Sequence, residues 1–304
     1  MSRPLVVIQR NPTSGSGRGR IELVRLWQSL RDHGFRVRMF SNRRLLDAWV
    51  RQLPSDSPPA CIVAAGGDGT AADVINRHPG TPVALLPLGT ENLLARYCGL
   101  SRNGRQLAQV IAQNRVEVFD SAAANFRRFL LMTSAGPDAA VVQQLHQSRA
   151  GTITRGRYIR PTLNAIFCRP LLRYQVTADT LPAPSEGLHV LVTNIPRYGF
   201  GLAFSPEARA DDGKLAVRIY QGRSRWQMLL HVLCLKLGIR IQEHLVHRFT
   251  AKEVRIEPVP SLGSSPDSPE ICQCDGDPGP AFPVQVRVQP ASIHLMVPKD
   301  WQPR

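Results

Sequence analysis

The sequence predicts two domains of different class: a doubly wound α/β domain over residues 1–118 and a β-rich, sandwich-like domain over residues 119–291. In the first part, short apolar runs alternate with segments of helical period. In the second part, strand-like runs follow one another with few helices between them. Glycine-rich turns also follow two early apolar runs, at the strand ends where open α/β sheets bind ligands.

Each element of the first domain is predicted from the spacing of its apolar residues. Strands are predicted at residues 5–8, 36–40, 60–65 and 82–86. Helices are predicted at residues 21–30, 45–53, 70–76 and 106–113. The third and fourth strands are apolar throughout, which is typical of parallel strands buried on both faces.

The second domain is predicted mainly from alternating or apolar runs of strand length. Strands are predicted at residues 116–119, 129–133, 174–177, 189–193, 215–220, 253–257 and 284–288. Helical segments are predicted at residues 139–147, 158–167 and 226–246, and a loop rich in serine, glycine and proline at residues 261–269.

The composition indicates a basic protein with an anionic partner. The 304 residues contain 38 Lys+Arg and 23 Asp+Glu, for a formal charge of +15, and most of the cations are arginine. Such a surface favours nucleotides, acidic membranes or nucleic acid, whereas a genome-driven arginine bias would give the same composition without a function. No segment resembles a nucleic-acid-binding motif, so no nucleic-acid partner is expected.

Apolar runs and cysteines predict a cytoplasmic protein with reduced thiols. The longest apolar candidate, residues 228–237, is short and contains His231 and Lys236, so any membrane contact is expected to be peripheral. No secretory signal precedes the first strand. The six cysteines are scattered, and Cys272 and Cys274 lack a second ligand pair at zinc spacing.

The most informative motif is Gly-Gly-Asp-Gly-Thr at residues 66–70. Its glycines let backbone N–H groups approach a phosphate, and the helix that begins at Thr70 adds a partial positive charge. Asp68 would repel that phosphate unless a metal ion, a hydroxyl or a backbone donor engages it. The alternative is a tight turn in which Asp68 only caps a helix.

Three motifs in fixed order resemble the catalytic domain of diacylglycerol kinases, a family that includes sphingosine and ceramide kinases and soluble bacterial lipid kinases. They are Asn-Pro-x-Ser-Gly at residues 11–15, Gly-Gly-Asp-Gly-Thr at 66–70 and Pro-Leu-Gly-Thr-x-Asn at 87–92. The first is neither a Walker A nor a Rossmann motif. The resemblance continues through Gly-Pro-Asp-Ala at 136–139, Asn194, Tyr-Gly-Phe-Gly at 198–201, Pro-x-Ala at 206–208, Asp-Asp-Gly-Lys-Leu at 211–215 and Asp-Gly-Asp at 275–277.

The resemblance implies that the first loop and the two glycine turns bind ATP. The implied residues are Asn11, Gly66, Gly67, Asp68, Gly69, Thr70, Gly89, Thr90 and Asn92. Ser41 stands where family members often have a nucleotide-contacting threonine. Catalytic Mg²⁺ is expected to arrive mainly with ATP, because few carboxylates plus phosphates usually hold it. In the family the last strand returns to the first domain, which implies the same for residues 292–304.

The resemblance also implies a general base and a structural metal. Family members commonly end the site with Asp-Gly-Glu, so the implied base here is Asp277, one methylene shorter than glutamate. Asp275 is the reserve base, and Asp68 is a candidate for contacting the acceptor hydroxyl or the metal. In bacterial relatives the segment matching 211–213 binds Mg²⁺. The implied ligands are Asp212 and the carbonyls of Arg209 and Lys214.

Two departures from the family pattern leave three functions open. The usual x-Asn-Glu after the first turn is Ala71-Ala72-Asp73 here, and the usual Asn-Asp of the second turn is Asn92-Leu93. The leading hypothesis is an ATP-dependent kinase that phosphorylates a hydroxyl of diacylglycerol or a related long-chain lipid. The alternatives are an NAD kinase, whose superfamily shares Gly-Gly-Asp-Gly-Thr, and a non-catalytic nucleotide- or lipid-binding relative.

A lipid substrate implies a membrane partner. We expect the arginine-rich surface to recruit the protein to anionic lipid at the inner face of the membrane. The helical segments 158–167 and 226–246 could form an apolar wall for a lipid tail or simply cover a sheet.

Overall fold

The computed structural model describes residues 3–12, 14, 19–147, 164, 172–199, 201–222, 224–237, 239, 243–260 and 271–303. The chain divides into two compact units. Unit 1 comprises Met1–Phe119 and Ala291–Arg304, and unit 2 comprises Asp120–Pro290. Within the described residues, no helix is long and apolar enough to cross a bilayer.

Unit 1 is built on a parallel sheet with strand order β2-β1-β3-β4. The strands are β1 (Leu5–Arg10), β2 (Arg36–Phe40), β3 (Cys61–Gly66) and β4 (Val83–Pro87). The helices are α1 (Gly19–Asp32), α2 (Arg43–Arg51), α3 (Asp68–Arg77), α4 (Leu93–Tyr97) and α5 (Gly104–Gln113). Every residue of β3 and β4 is buried, as expected for parallel strands covered on both faces. The α/β class predicted for this part is confirmed.

Parallel pairing brings the glycine turns to one edge of the sheet. Ile62 in β3 lies opposite Val83 in β4, and Gly66 lies opposite Pro87. Both turns begin where these strands end, so they lie side by side. This edge of a parallel sheet is where open α/β folds bind ligands.

The C-terminal residues of the chain belong to unit 1. Leu295, in the long strand β16 (Val284–Met296), pairs in parallel with Val83. The Trp301 indole N–H donates to the Tyr97 carbonyl (2.9 Å), and its ring lies 5.2 Å from the Phe119 ring. These contacts fix residues 291–304 against the sheet and helix α4.

Unit 2 contains antiparallel strands around a shared apolar core. Its elements are β5 (Val116–Ala124, which begins in unit 1), β6 (Arg127–Phe129), β7 (Met132–Ala135), α6 (Pro137–Gln147), β8 (Tyr174–Ala178), β9 (Ser185–Gly187), β10 (His189–Thr193), β11 (Leu215–Tyr220), α7 (Arg225–Leu237), a 3₁₀ turn (Glu243–Leu245), β12 (Val246–Ala251), β13 (Glu253–Pro258), β14 (Ile271–Cys274), β15 (Asp277–Ala281) and the first half of β16. One run of strands is β16-β13-β8-β9 and the other is β12-β11-β10-β7-β14-β15.

The core of unit 2 confirms the sandwich-like class, because it draws buried side chains from both runs of strands. Val176, Val254 and Val286 come from the first run. Val192 and Val217 come from the second. Alternate residues of each strand therefore meet in one apolar layer, the pattern of packed antiparallel sheets.

Two predicted elements of unit 2 differ in the structure. The single strand predicted at 129–133 is two strands, because the N–H groups of Leu130 and Leu131 donate to the Asp275 carboxylate (2.7 and 2.9 Å). The helix predicted at 226–246 ends at Leu237, and residues from Val246 onward pair with β11. Four strands, β9, β12, β14 and β15, were not predicted. The predicted helix 158–167 (apart from residue 164) and the predicted loop 261–269 lie outside the described residues.

Candidate active site

The two glycine turns of unit 1 are packed directly against each other. A Cβ on Gly89 would lie 2.5 Å from the Cα of Gly67, a distance that no real Cβ contact shows. The N–H groups of Leu88 and Gly89 donate to the Gly66 carbonyl (2.8 and 3.2 Å). The absence of side chains at Gly67 and Gly89 is therefore what allows the two loops to form one surface.

The first turn is tied to the loop after β1. The Asn11 amide donates to Thr70 Oγ1 (3.1 Å), and the Asn11 N–H donates to the Ala65 carbonyl (3.1 Å). A Cβ on Gly66 would lie 2.3 Å from Thr70 Oγ1, so Gly66 is required by packing. Gly69 is different, because a Cβ there would meet no atom of the described residues within 4 Å.

The second turn is closed by Asn92, whose backbone is left-handed (φ 51°). Its Oδ1 accepts the Gly89 N–H (2.9 Å), and its amide donates to the Gly89 carbonyl (2.8 Å). Arg102 donates to the carbonyls of Pro87 (3.0 Å) and Gly89 (2.9 Å). Asn92 therefore holds the turn in shape, while Thr90 is exposed at its tip.

Asp68 joins the two turns. Its Oδ1 accepts the Leu94 N–H (3.1 Å) at the start of α4, which follows the second turn. Burial raises the pKa of Asp68 above its ordinary value, and the N–H groups of Leu94, Leu93 and Asn92 offset part of that rise. The sequence allowed a metal ion, a hydroxyl or a backbone donor as the partner of this carboxylate, and the structure contains the backbone donor. The helix that Asp68 caps is α4, whereas the N-cap of α3 is Gly67.

A cleft of about 580 Å³ opens beside the first turn, within the size range of small-molecule sites. Five predicted residues line it: Asn11, Ser41, Gly67, Gly69 and Thr70. The other lining residues are Gln9, Arg10, Pro12, Ser14, Asn42, Arg43 and Asp73. The predicted residues that lie outside its lining are Gly66, Asp68, Gly89, Thr90 and Asn92.

One wall of the cleft is an ionic network that the sequence did not single out. Asp73 accepts from Arg77 (2.9 Å) and from the Gln9 amide (3.3 Å), and Arg43 lies 3.5 Å away. Arg77 also donates to Gln9 and Asp47. The sequence signal that could have revealed this network is the i, i+4 spacing of Asp73 and Arg77 on α3. Asp73 occupies the position where the family pattern has glutamate.

The two carboxylates of the Asp-Gly-Asp turn have different environments. Both Asp275 oxygens are occupied, because they accept the N–H groups of Leu130, Leu131 and Met132 (2.7–3.0 Å). Asp277 is partly exposed, and its carboxylate lies 3.7 Å from the Arg127 guanidinium. The structure therefore argues against Asp275 as the reserve base, since deprotonating a substrate would disturb three backbone hydrogen bonds.

The segment predicted to bind a structural metal forms a turn that Asp120 helps to hold, since its carboxylate accepts the Gly213 N–H (2.7 Å). Asp212 Oδ1 accepts the Lys214 N–H (3.0 Å), and Arg209 pairs with Asp211 through two 3.0 Å contacts. Among the described residues, no group of three or more His, Cys, Asp or Glu side chains could hold a metal ion. The Arg209, Asp212 and Lys214 ligand set stays a prediction.

Unit 2 also contains a connected polar cluster that the sequence did not assign. His189 Nε2 lies 2.9 Å from Asp138 Oδ1, Ser134 donates to Asp138, and the Gln273 amide donates to Ser134 (2.8 Å). Tyr198 in turn donates to Gln273 (3.2 Å). Burial alone would raise the pKa of Asp138, but His189 and the hydrogen bonds hold it below its ordinary value. The sequence signal that could have revealed this cluster is the Gly-Pro-Asp-Ala motif at 136–139, which contains Asp138.

Comparison with known proteins identifies this protein as a kinase. The family model for the diacylglycerol kinase catalytic domain matches residues 4–124. The model for the YegS C-terminal NAD kinase beta sandwich-like domain matches residues 132–297. The chain therefore belongs to the diacylglycerol kinase family, in the form that carries a YegS-type C-terminal domain.

Relatives match the chain over most of its length. A diacylglycerol kinase of Staphylococcus carnosus is 25% identical over 313 residues, which cover 95% of this chain and 94% of the relative. The crystal structure of a putative diacylglycerol kinase of Bacillus anthracis superposes with a TM-score of 0.74 at 20% identity, covering 98% and 97% of the two chains. A yeast NADH kinase complexed with NADH superposes with a TM-score of 0.54 at 13% identity, covering 98% of this chain and 84% of the other. Both structural likenesses concern the fold.

Proposed function

We propose that this protein is an ATP-dependent lipid kinase, which transfers the γ-phosphoryl group of ATP to a hydroxyl of diacylglycerol or a related long-chain lipid. The observation that carries the proposal is the joined surface of the two glycine turns beside the cleft of unit 1. The diacylglycerol kinases among its relatives support the acceptor class. The yeast NADH kinase likeness makes NAD the acceptor to be tested against lipid.

The residues of the cleft suit a nucleotide. Gly69 has no packing role among the described residues, and it lies in the first turn of α3, where the helix dipole favours an anion. A Cβ at residue 69 would fill space that a phosphate could approach. Asn11, Ser41, Gly67 and Thr70 would contact the same nucleotide, whose γ-phosphoryl group and accompanying Mg²⁺ supply the chemistry.

The proposed proton acceptor is Asp277. Its side chain is partly exposed, and its carboxylate lies 3.7 Å from the Arg127 guanidinium. The neighbouring Asp275 keeps the turn in place through its three backbone hydrogen bonds. This division lets one carboxylate take the hydroxyl proton while the other maintains the geometry.

The experiment is transfer of labelled phosphate from ATP with Mg²⁺ to dispersed dioctanoylglycerol, with NAD offered in a parallel reaction. The expected result is a labelled lipid and unlabelled NAD. Purified Asp277→Asn serves as the matched control for contaminating kinases. Label in NAD without label in lipid would favour the NAD-kinase alternative, and transfer to neither acceptor would overturn the proposal.

A further inference from the structure

Helix α7 (Arg225–Leu237) presents a row of large apolar side chains to solvent. Trp226, Leu230, Leu233 and Leu237 are 70%, 58%, 49% and 63% exposed. Their spacing of four, three and four residues puts them on one face of the helix. We call these four residues the α7 stripe. Exposed apolar rows of this kind mark interaction surfaces.

The side of α7 that carries His231 is turned toward the folded chain. His231 is 7% exposed, and its ring lies 4.6 Å from the Tyr220 ring. Gln227 is half-buried on the same side, in the first turns of the helix. A surface helix ordinarily turns its apolar stripe inward. The sequence of α7 is also apolar at residues 228, 232 and 235, which lie opposite the stripe by helical spacing. The exposed stripe is therefore apolar surface beyond the single inward face that a surface helix needs, which favours a contact outside the folded unit.

The sequence around α7 is strongly basic. Between Asp212 and Glu243 there is no acidic residue. The basic residues of that interval are Lys214, Arg218, Arg223, Arg225, Lys236 and Arg240. Such a segment attracts an anionic surface, whereas a second copy of this +15 chain would bring the same charges together.

We propose that α7 is a membrane-docking helix that lies in the plane of an anionic bilayer, with its stripe among the upper acyl chains. Thirteen residues of helix extend about 20 Å, too short to span a bilayer but suited to its interface. The choice of a bilayer rests on the proposed function, because the acceptor of a lipid kinase resides there. The net positive charge of the chain favours the approach of the helix to lipid phosphates.

The test is cosedimentation of the full chain with vesicles of phosphatidylcholine and phosphatidylglycerol at 7:3. The stripe variant is Leu230→Gln/Leu233→Gln, and we expect its partition coefficient to fall at least about tenfold, since each leucine loses apolar transfer free energy. The matched control is Leu45→Gln, a leucine 62% exposed on α2, which should bind as the wild type does. Wild-type binding should weaken as salt rises.

Trp226 gives a second readout that does not depend on the stripe variant folding. The chain has four tryptophans, and Trp226 is the most exposed of them. Its emission should shift to shorter wavelength when vesicles are added, and Trp226→Phe should abolish the shift. An unshifted wild-type spectrum, or an equal shift in the Phe variant, would overturn the proposal.

Vesicle binding is measured without ATP or acceptor, so it is separable from the kinase assay. Vesicle binding without phosphoryl transfer to dispersed dioctanoylglycerol would contradict the proposed function. In that case α7 would still be a lipid-binding helix. If the stripe variant binds vesicles like the control, the docking proposal is wrong. A wild-type dimer that the stripe substitutions dissociate, with vesicle binding unchanged, would instead assign the stripe to a second copy of the chain.

Discussion

At the scale of single residues, carboxylates close in sequence have separate tasks. Asp275 accepts three backbone N–H groups and adopts a left-handed backbone (φ 51°), so it supports the break between β6 and β7. Asp277, two residues on, is partly exposed beside Arg127. The motif presents both as chemically equivalent, but their surroundings differ: Asp275 is engaged by three backbone N–H groups, whereas Asp277 is partly exposed.

The first prediction separates these two carboxylates. Asp277→Asn should lower kcat by roughly 10²- to 10⁴-fold, the usual contribution of a general base, without changing stability. Asp275→Asn should instead lower the free energy of unfolding by about 2–4 kcal/mol, because charge-assisted hydrogen bonds to backbone are weakened. Steady-state kinetics and urea denaturation of both variants measure this. Wild-type kcat in Asp277→Asn would remove this carboxylate from the mechanism.

The second prediction concerns Asp68. The sequence motif predicts that Asp68→Ala abolishes phosphoryl transfer with little effect on folding, but the structure adds a stability effect, because Asp68 caps α4 through Leu94. We expect Asp68→Ala to lose about 1 kcal/mol of unfolding free energy, as other helix-cap deletions do. Asp68→Asn retains an acceptor oxygen and should be nearly as stable as the wild type. Activity in the stable Asp68→Asn variant would show that the charge is not needed.

At the scale of elements, the glycine turns matter for two different reasons. Gly89 is required because the loops after β3 and β4 touch at their backbones. Gly69 has no such neighbour among the described residues, so their packing does not require glycine at this position. Packing and ligand binding can therefore be separated by substituting one glycine at a time.

The third prediction uses this contrast. Gly89→Ala should lower the free energy of unfolding by roughly 1–3 kcal/mol, because its Cβ would collide with the Gly67 backbone and overpack the junction. Gly69→Ala should leave stability unchanged or slightly higher, since alanine favours the helix, and should weaken ATP binding. Thermal denaturation and nucleotide titration distinguish the two. Normal ATP affinity in Gly69→Ala would argue against a phosphate of ATP bound next to Gly69.

At the scale of the whole molecule, buried histidines link stability to pH. Burial, with Arg77 nearby, lowers the pKa of His78 in unit 1. Burial, with nearby positive charge, lowers the pKa of His231 in unit 2 to about 3. Both groups take up protons more readily in the unfolded chain than in the folded one. Their effect is therefore to make stability fall as pH drops below about 6.5.

The fourth prediction follows for His231. Because the unfolded histidine protonates near pH 6.5 and the folded one near 3, stability should fall by about 2 kcal/mol between pH 7 and pH 5 from this residue. His231→Phe keeps a ring against Tyr220 and should flatten that slope. Asp138 does not contribute in this window, since its lowered pKa acts only below the ordinary carboxylate range. An unchanged slope in urea denaturation at each pH would contradict the assignment.

The sequence alone was sufficient for the class of each half and for the positions of the four parallel strands of unit 1. Continuous apolar runs such as those of β3 and β4 can be stable only when both faces are covered, so they predict a parallel sheet directly. Short strands such as β9 and β14 were missed, because three or four residues do not establish a period.

For the candidate site, the sequence alone determined which turns could approach a phosphate, because glycine spacing after a strand is a local property. Tertiary structure decided what each side chain does. Asp68 caps α4 through a residue 26 positions further along the chain, and Asp275 holds the start of β7. Leu230, Leu233 and Leu237 of α7 are exposed. These assignments depend on which segments meet in the folded chain, and long-range packing is not encoded in the period of any single segment.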